Sequence, residues 1–442
     1  MNQTYWLERA WLGDGAISVG VLVTVHDRYF TGVETGVAQA PEGANRLAGL
    51  TIPGLANCHS HAFHRALRGR TQRERGTFWT WREQMYSVAE KLNPDSYYEL
   101  ARATYREMVA TGITSVGEFH YLHHGPDGTP YDDPNAMGLA LIAAAQDAGI
   151  RIALLDTCYL AAGIGRPPEG VQVRYSDGDT EAWLKRVDDL AERSPAVVVG
   201  AAIHSVRAVP RDQMRDVVEW SHRRRAPLHM HLSEQVAENE SCHAAYGLTP
   251  TALFADVGAL GPLTSAVHAT HLTAADVAML GETRTYSCLC PTTERDLGDG
   301  VGPSRILNDA GSRLTLGSDS HAVIDMFEEM RAVELDERLT TQKRGHWSAD
   351  ELIAAATYDG HRSLGFPDAG RIAVGARADL VTLDMRTPRT AGTGADAETA
   401  VFAATAADVV RVVADGRVVA TSDDHRQIGV DLDRTIASLW RE

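Results

Sequence analysis

Between residues 50 and 364, short apolar runs alternate with amphipathic stretches of helical periodicity. This alternation is typical of repeated βα units, in which the connecting helices cover a buried parallel sheet. Eight such units close into an α/β fold of the TIM type, the (β/α)8 barrel, whose active site lies at the carboxyl ends of the strands. The predicted strands are 50–57, 113–119, 151–157, 197–204, 227–232, 265–269, 283–290 and 313–318.

Helical segments fill the spaces between these runs. Several begin at Asp, Thr or Pro and end near Gly, as helix termini do. The predicted helices include 94–110, 135–148, 180–193, 211–224 and 249–257.

The two ends of the chain show short β-rich segments separated by glycine-containing turns, and the first 50 residues show no helical period. Asp415-Gly416 between two apolar runs is a strong hairpin signal. We therefore expect residues 1–50 and 366–442 to form one small β-sandwich domain that flanks a barrel of residues 51–365. Its segments include 17–25, 29–33, 370–375, 379–383, 409–414 and 417–420.

Composition limits the partners of this chain. The formal net charge is −17 and 44% of the residues are hydrophobic. Nucleic acid or an anionic membrane would require a basic face, so neither is expected. No secretory signal occurs in residues 1–13, and no apolar run reaches the ~18 residues of a membrane span. Five scattered cysteines fit reduced thiols in a cytoplasmic protein, and barrels of this kind often dimerise through their helices, so a homodimer is expected.

Histidines and carboxylates gather at the predicted carboxyl ends of the strands. The side-chain period of two places His59 and His61 on the same side of the first strand. Histidines scattered at random would not collect at one rim, so we interpret the set as functional. The other members are His204 and Arg207 at the fourth strand, His229, His231 and Glu234 at the fifth, His268 and His271 at the sixth, and Asp319 and His321 at the eighth.

Four of these side chains can converge across the barrel mouth as metal ligands, namely His59, His61, His231 and Asp319. Three imidazoles and a carboxylate favour zinc with one position left for water, although the same set also accepts iron. Binding lowers the pKa of that water toward ~7 and supplies hydroxide at neutral pH. Asp319 can contact the metal and also accept the proton of the water.

The fifth strand offers two histidines that face the same side. His231 lies nearer the carboxyl end, so we assign it to the metal and leave His229 as a core or supporting residue. Glu234 follows in the loop, where it can transfer a proton to a leaving nitrogen.

A single metal ion is expected. Many barrel hydrolases bridge two metals with a carbamylated lysine on the fourth strand, but none of the three lysines here lies near a predicted strand end. Residues 197–207 also contain no Asp or Glu.

Four motifs together resemble the amidohydrolase superfamily, in its branch of mononuclear zinc deaminases. They are Pro53-Gly54-Leu55-Ala56-Asn57-x-His59-x-His61, His231-x-x-Glu234, His268-x-x-His271 and Ser318-Asp319. Within that branch, the segments 59–63, 78–86 and 291–300 are similar to those of formimidoylglutamate deiminases. These enzymes of histidine degradation convert N-formimidoyl-L-glutamate to N-formyl-L-glutamate and ammonia. The resemblance covers residues 50–365 and implies the barrel, the flanking β-domain and this activity.

The resemblance also implies residue roles. Zinc would be bound by the four ligands named above, with Glu234 and His268 serving the reaction centre. In the mechanism that we expect, Asp319 accepts the proton of the water, Glu234 protonates the leaving nitrogen and His268 steadies the attacking oxygen. A small dicarboxylate substrate needs cationic anchors, and Arg82 and Arg207 suit bidentate carboxylate binding. The residues implied to contact the substrate are His64, Arg82, Tyr121, His204 and Arg207.

Two features near the second motif concern the substrate pocket. His64 stands where the family carries glutamine, and a histidine with an ordinary pKa of ~6.5 can make substrate affinity pH dependent. Trp79 and Trp81 either wall the pocket or pack beneath it, and packing is favoured.

Three other functions remain open from the sequence. A deaminase of the same branch that acts on a guanine-like or adenosine-like ring would favour amide or aromatic contacts over two arginines. An amide or lactam hydrolase would release no ammonia. A non-catalytic binding protein with this fold would lack metal ligands, whereas all four are present here.

Overall fold

Two sheets form the framework of the computed structural model, which describes residues 3–13, 15–72, 78–194 and 197–440, without the side chains of residues 78 and 79. In chain order, the strands are β1 (Gln3–Trp11), β2 (Ile17–His26), β3 (Tyr29–Glu34), β4 (Asn45–Pro53), β5 (Leu55–Ser60), β6 (Ile113–His120), β7 (Arg151–Cys158), β8 (Val198–Ile203), β9 (Leu228–Leu232), β10 (Thr264–His268), β11 (Tyr286–Leu289), β12 (Leu314–Leu316), β13 (Leu380–Leu383), β14 (Val409–Ala414) and β15 (Arg417–Thr421).

Helices and short helical turns connect these strands. The α-helices are α1 (Phe78–Lys91), α2 (Pro94–Ala110), α3 (Ala136–Ala148), α4 (Thr180–Arg193), α5 (Arg211–Arg224), α6 (Val236–Tyr246), α7 (Pro250–Asp256), α8 (Ala274–Glu282), α9 (Pro291–Leu297), α10 (Ser304–Ala310), α11 (Met326–Thr341), α12 (Ala349–Ala354), α13 (Gly360–Ser363), α14 (Ala397–Phe402) and α15 (His425–Leu439). A π-helical turn, Ala355–Asp359, joins α12 to α13, and 3₁₀ turns span Ala62–Leu67, Pro126–Gly128, Gly170–Tyr175, Ala406–Asp408 and Ser422–Asp424.

Strands β5 to β12 form the predicted barrel, which is confirmed. They pair in chain order and in parallel as one eight-stranded sheet. An isolated parallel bridge between Ser60 and Asp319 joins the end of β5 to the segment after β12. Because the strands are parallel, their carboxyl ends meet at one mouth, where side chains from distant parts of the sequence come together.

The first predicted strand, 50–57, is wrong in one respect, because it is divided between the two sheets. β4 ends at Pro53 in the flanking sheet, and β5 begins the barrel at Leu55. Gly54 lies between them, where a Cβ atom would come within 2.2 Å of the Thr114 hydroxyl oxygen. Only glycine permits this close crossing between the sheets.

The prediction that both chain ends contribute to one flanking β-domain is also confirmed. Its strands form one seven-stranded mixed sheet in the order β15-β14-β13-β4-β1-β2-β3, in which β1 and β4 are parallel. The β4 and β13 strands join the amino-terminal and carboxyl-terminal parts. Asp415-Gly416 forms the turn of the predicted β14–β15 hairpin. The boundaries at residues 50 and 366 stay a prediction.

Other segments differ from the sequence predictions. Residues 370–375 form no strand, because Gly370 and Gly375 adopt positive φ angles of 84° and 88° that interrupt an extended chain. The terminal helix α15 was not predicted, although its buried Ile428 and Leu432 are four residues apart. Within the described residues, no helix combines the length and the apolar character needed to cross a membrane.

Candidate active site

Three histidines and an aspartate meet at the barrel mouth. His59 lies near the end of β5, His61 directly follows it, and His231 lies on β9. The Nε2 atoms of His59 and His61 are 3.3 Å and 3.2 Å from Asp319 Oδ1. His231 Nε2 lies 3.1 Å from His59 Nε2. All four side chains of the predicted ligand set are buried and share one centre.

Backbone carbonyls fix the orientation of two of these imidazoles. His61 Nδ1 lies 2.9 Å from the Phe119 carbonyl, and His231 Nδ1 lies 2.9 Å from the His204 carbonyl. A carbonyl only accepts, so each Nδ1 carries the hydrogen and each Nε2 keeps its lone pair for the centre. The ligand atoms of His59, His61 and His231 lie within 4.8 Å of one another. This donor set fits a divalent first-row metal ion such as zinc.

The backbone is strained where three barrel strands end. Ser233, His268 and Asp319 have φ angles of 51°, 70° and 39°, a region that side chains other than glycine rarely adopt. Such residues concentrate at functional sites. Here they turn the chain at the mouth beside Glu234, so that polar side chains face the centre.

Glu234 and His268 lie close together beside the ligand cluster. His268 Nε2 lies 3.9 Å from Glu234 Oε1 and 3.9 Å from Asp319 Oδ2. Burial raises the pKa of Glu234 above its ordinary value, although the charge of His268 opposes the shift. Burial would lower the pKa of His268, but Glu234, Glu294 and Asp319 together raise it well above its ordinary value. His268 can therefore donate to an oxyanion, and Glu234 can hold a proton for transfer.

Glu294 is a part of the site that sequence reasoning missed. Its Oε1 lies 3.3 Å from His268 Nδ1 and accepts the Cys290 backbone N–H at 2.9 Å. It thereby orients the His268 ring from the side away from the centre. In the sequence, Glu294 belongs to the segment 291–300 that resembles the family. That resemblance did not assign a role to any residue of the segment.

The predicted substrate residues line one pocket above the ligand cluster. Arg207 donates through Nε to Glu238 Oε2 at 2.7 Å, and the Arg82 guanidinium lies 5.5 Å from the centre of the Tyr86 ring. The pocket residues include His61, His64, Trp81, Arg82, Tyr86, Tyr121, Tyr159, His204, Arg207, His231, Glu234, His268 and Asp319. Two guanidinium groups thus share a pocket with a metal-type ligand set.

His64 and Tyr121 are hydrogen-bonded on one wall of this pocket. His64 Nε2 lies 2.9 Å from the Tyr121 hydroxyl. Burial, reinforced by nearby His61, holds the pKa of His64 well below its ordinary value. This direction runs against titration of His64 near its ordinary pKa, and the effect of His64 on substrate affinity stays a prediction. His204 lies beside Tyr121, with ring centres 5.6 Å apart.

Several candidates take other positions. Burial lowers the pKa of His229 to about 3, and this residue is not among the pocket residues, in agreement with a core role. His321 is hydrogen-bonded to Ser60 and Ser318, so it ties together the segments that follow β5 and β12. Trp81 lines the pocket on α1 and also packs against the hydrophobic core, so each of the two interpretations describes part of its position. The side chain of Trp79 lies outside the described part of the chain.

Residues 50–419 match the model of the amidohydrolase family, and the chain belongs to this family. It is 38% identical to the formimidoylglutamate deiminase of Pseudomonas aeruginosa over 80% of this chain and 81% of that protein. It is 26% identical to a 5-methylthioadenosine/S-adenosylhomocysteine deaminase of Pelotomaculum thermopropionicum over 98% and 92% of the two chains. The crystal structure of an amidohydrolase from Brucella melitensis superposes with a TM-score of 0.91 and 29% identity, covering 99% and 100%. Together these relatives show a hydrolase that acts on C–N bonds.

Proposed function

We propose that this protein hydrolyses N-formimidoyl-L-glutamate to N-formyl-L-glutamate and ammonia, a step of histidine degradation. One observation carries the proposal: two arginines line the same pocket as a His3Asp ligand set. A substrate with two carboxylates and one amidine-like carbon requires cationic anchors at one end and a hydrolytic centre at the other. The relative with 38% identity bears the same activity in its name.

One zinc ion would be held by His59, His61, His231 and Asp319. When bound, it would lower the pKa of a water molecule and supply a nucleophile at neutral pH. Glu234 and His268 lie beside these four ligands and would take part in the proton transfers of the reaction. Iron remains compatible with the same ligands.

The remaining steps fall to protein side chains. Asp319 takes the proton of the attacking water, and protonated His268 stabilises the oxygen that adds to the formimidoyl carbon. Glu234, with its raised pKa, gives one proton to the imine nitrogen, and Asp319 passes on the proton that it took from the water. The C–N bond then breaks, ammonia leaves, and the hydroxyl proton of the adduct returns to Glu234 as the formyl C=O forms. Glu294 keeps His268 in position during this transfer.

The substrate carboxylates are bound by the arginines at the other end of the pocket. Glu238 occupies Nε of Arg207, and no other described acceptor takes its Nη atoms, so this edge is available for a bidentate carboxylate contact. Arg82 provides the second charge, and His64, Tyr121 and His204 contact the substrate between the arginines and the metal ligands. A cytoplasmic location and a homodimer stay predictions from sequence.

The main alternative is a deaminase of a purine ring. The 26% identical relative carries such an activity in its name, and the tyrosines of the pocket offer faces for ring stacking. A purine lacks carboxylates, so it would make no use of the positive charge that Arg82 and Arg207 bring to the pocket.

Ammonia release tests the proposal. Zinc-loaded protein is assayed with N-formimidoyl-L-glutamate, with formimidoyl-L-aspartate, guanine, adenosine and 5'-methylthioadenosine in parallel. We expect strong turnover of the glutamate compound, lost in Asp319→Ala and Arg207→Ala and retained in Arg344→Ala, which changes an exposed arginine. Activity only on a purine would refute the substrate but not the class of reaction.

A further inference from the structure

A buried glutamine joins two tyrosines of the pocket. Gln172 lies in the 3₁₀ turn Gly170–Tyr175, and 4% of its surface is exposed. Its Nε2 atom donates to the Tyr159 hydroxyl at 2.8 Å and to the Tyr86 hydroxyl at 3.1 Å. Both hydrogens of one amide group are thus used on two phenol oxygens.

The backbone fixes which way this amide faces. Gln172 Oε1 accepts the backbone N–H of Glu169 at 3.4 Å. A backbone N–H requires an acceptor, so the oxygen must face Glu169 and the nitrogen must face the tyrosines. The opposite orientation would place two donors together and leave this N–H without a partner.

This orientation leaves hydroxyl hydrogens available to a ligand. Each phenol oxygen accepts from Gln172, so neither hydrogen is used in these two contacts. Within the described residues, the two hydroxyls also lie within hydrogen-bonding reach of each other. Even if Tyr159 donated to Tyr86, the hydrogen of Tyr86 would remain free. At least one O–H can therefore point into the pocket.

Charge near the two hydroxyls favours an anion. Arg82 and Arg207 line the same pocket as Tyr86 and Tyr159. Burial raises the pKa of both phenols above the ordinary value, and the two arginines only partly oppose it. The phenols therefore stay protonated at neutral pH and act as donors. Neutral donors beside two cations match a carboxylate.

We propose that Tyr86 and Tyr159, oriented by Gln172, form a subsite that donates hydrogen bonds to one carboxylate of the substrate. The two tyrosines are binding residues, and Gln172 is a positioning residue that acts through them. The subsite deepens the proposed function and rests on it for the identity of the substrate. Its ligand class, a carboxylate next to two guanidinium groups, can be tested separately.

Three variants test the subsite. Tyr159→Phe and Tyr86→Phe remove a donor each. Gln172→Glu keeps the size of the side chain but can only accept from the phenols when ionised, so it uses the hydrogens that the ligand needs. We expect each variant to raise KM for N-formimidoyl-L-glutamate about 10-fold or more, with kcat within about threefold of the parent. Tyr358→Phe, outside this pocket, serves as the control and should change neither constant.

Truncated substrates separate binding from a structural effect. N-formimidoyl-4-aminobutyrate lacks the α-carboxylate, and N-formimidoyl-L-glutamine has a neutral side chain. The KM penalty of Tyr159→Phe should disappear with one of these two compounds, because its partner is then missing. A penalty that persists with both would overturn the proposal.

Direct binding of glutarate, measured by calorimetry, distinguishes the subsite from the activity. Weaker glutarate binding in Tyr159→Phe, with no turnover of N-formimidoyl-L-glutamate by the parent protein, would support the subsite and refute the proposed function. Normal turnover with an unchanged KM in both tyrosine variants would overturn the subsite and leave the function intact.

Discussion

At the scale of single residues, Glu238 links the candidate proton donor to the candidate substrate anchor. This residue of α6 is buried, and its Oε2 accepts from Arg207 Nε at 2.7 Å. Its Oε1 accepts the backbone N–H of Ser233 at 3.1 Å, directly before Glu234. The Glu238 carboxylate therefore holds in place both the Arg207 guanidinium group and the strained turn at Ser233 that precedes Glu234.

Glu238→Gln should damage both functions at once. An amide has a single oxygen, so either Arg207 or the Ser233 N–H loses its acceptor and faces another donor. We expect KM to rise about 10-fold and kcat to fall about 10-fold, measured by ammonia release. Glu240→Gln, exposed on the same helix, is the matched control. Unchanged constants in Glu238→Gln would show that Arg207 and the turn hold their positions without it.

Metal binding provides a second prediction at this scale, with stability as its readout. Protein stripped by a chelator should gain about 4 kcal/mol of unfolding free energy at a free zinc concentration about 1,000 times its Kd. Asp319→Asn should lose most of this gain, because a neutral amide is a poor ligand. Metal analysis should find one ion per chain. Two ions per chain, or an equal gain in Asp319→Asn, would contradict the ligand set.

The sequence could predict the residues that approach the centre but not those that support them. His59, His61 and His231 occupy strand ends, and a period of two indicates their direction. Gln172 contacts Tyr86, which is 86 residues away in the chain, and Glu238 contacts Arg207, which is 31 residues away. No local pattern encodes such a partner, so only the folded chain reveals it.

At the scale of elements, an ionic network fastens α4 to the barrel. Arg186 of α4 is buried and donates twice to Asp156 on β7, at 2.7 Å and 2.8 Å. It also donates twice to Asp177, in the segment before the helix, at 2.8 Å each. The guanidinium group is thus matched by two carboxylates, which hold the helix against the strand in one register.

Arg186→Met should be strongly destabilising, because it leaves two carboxylates buried without their cation. We expect a loss of about 3–5 kcal/mol in the free energy of unfolding, measured with urea. Arg193→Met on the same helix breaks ion pairs of a side chain that is 42% exposed, and should cost about 1 kcal/mol or less. Similar losses in the two variants would show that burial does not govern this network.

Element prediction succeeded where the signal was local. The helices at Pro94–Ala110, Thr180–Arg193 and Arg211–Arg224 were predicted at their observed ends, since Pro, caps and apolar periodicity all lie within them. The division at Gly54 was missed because it depends on the closeness of Thr114, 60 residues further along the chain. The sequence of the apolar run 50–57 does not indicate that its two halves belong to different sheets.

At the scale of the whole molecule, Arg151 connects the barrel with the flanking sheet. It begins β7, and its guanidinium is paired with Asp379, next to β13, and with Asp415 in the β14–β15 turn. Burial would raise the pKa of Asp379, but Arg151 outweighs it and holds the pKa below its ordinary value. The buried pair therefore couples the stability of the two sheets to pH.

Asp379→Asn should destabilise the protein in a pH-dependent manner. A depressed carboxyl pKa adds stability that is present above the unfolded pKa of about 3.9 and is lost as the pH falls through the folded value. We expect a loss of about 3 kcal/mol at pH 7 that shrinks below about pH 4, measured as the free energy of unfolding in urea. Asp423→Asn, at an exposed position, should show a small difference at every pH. A loss in Asp379→Asn that stays constant down to pH 3 would mean that shape, rather than the charge of Asp379, joins the two sheets.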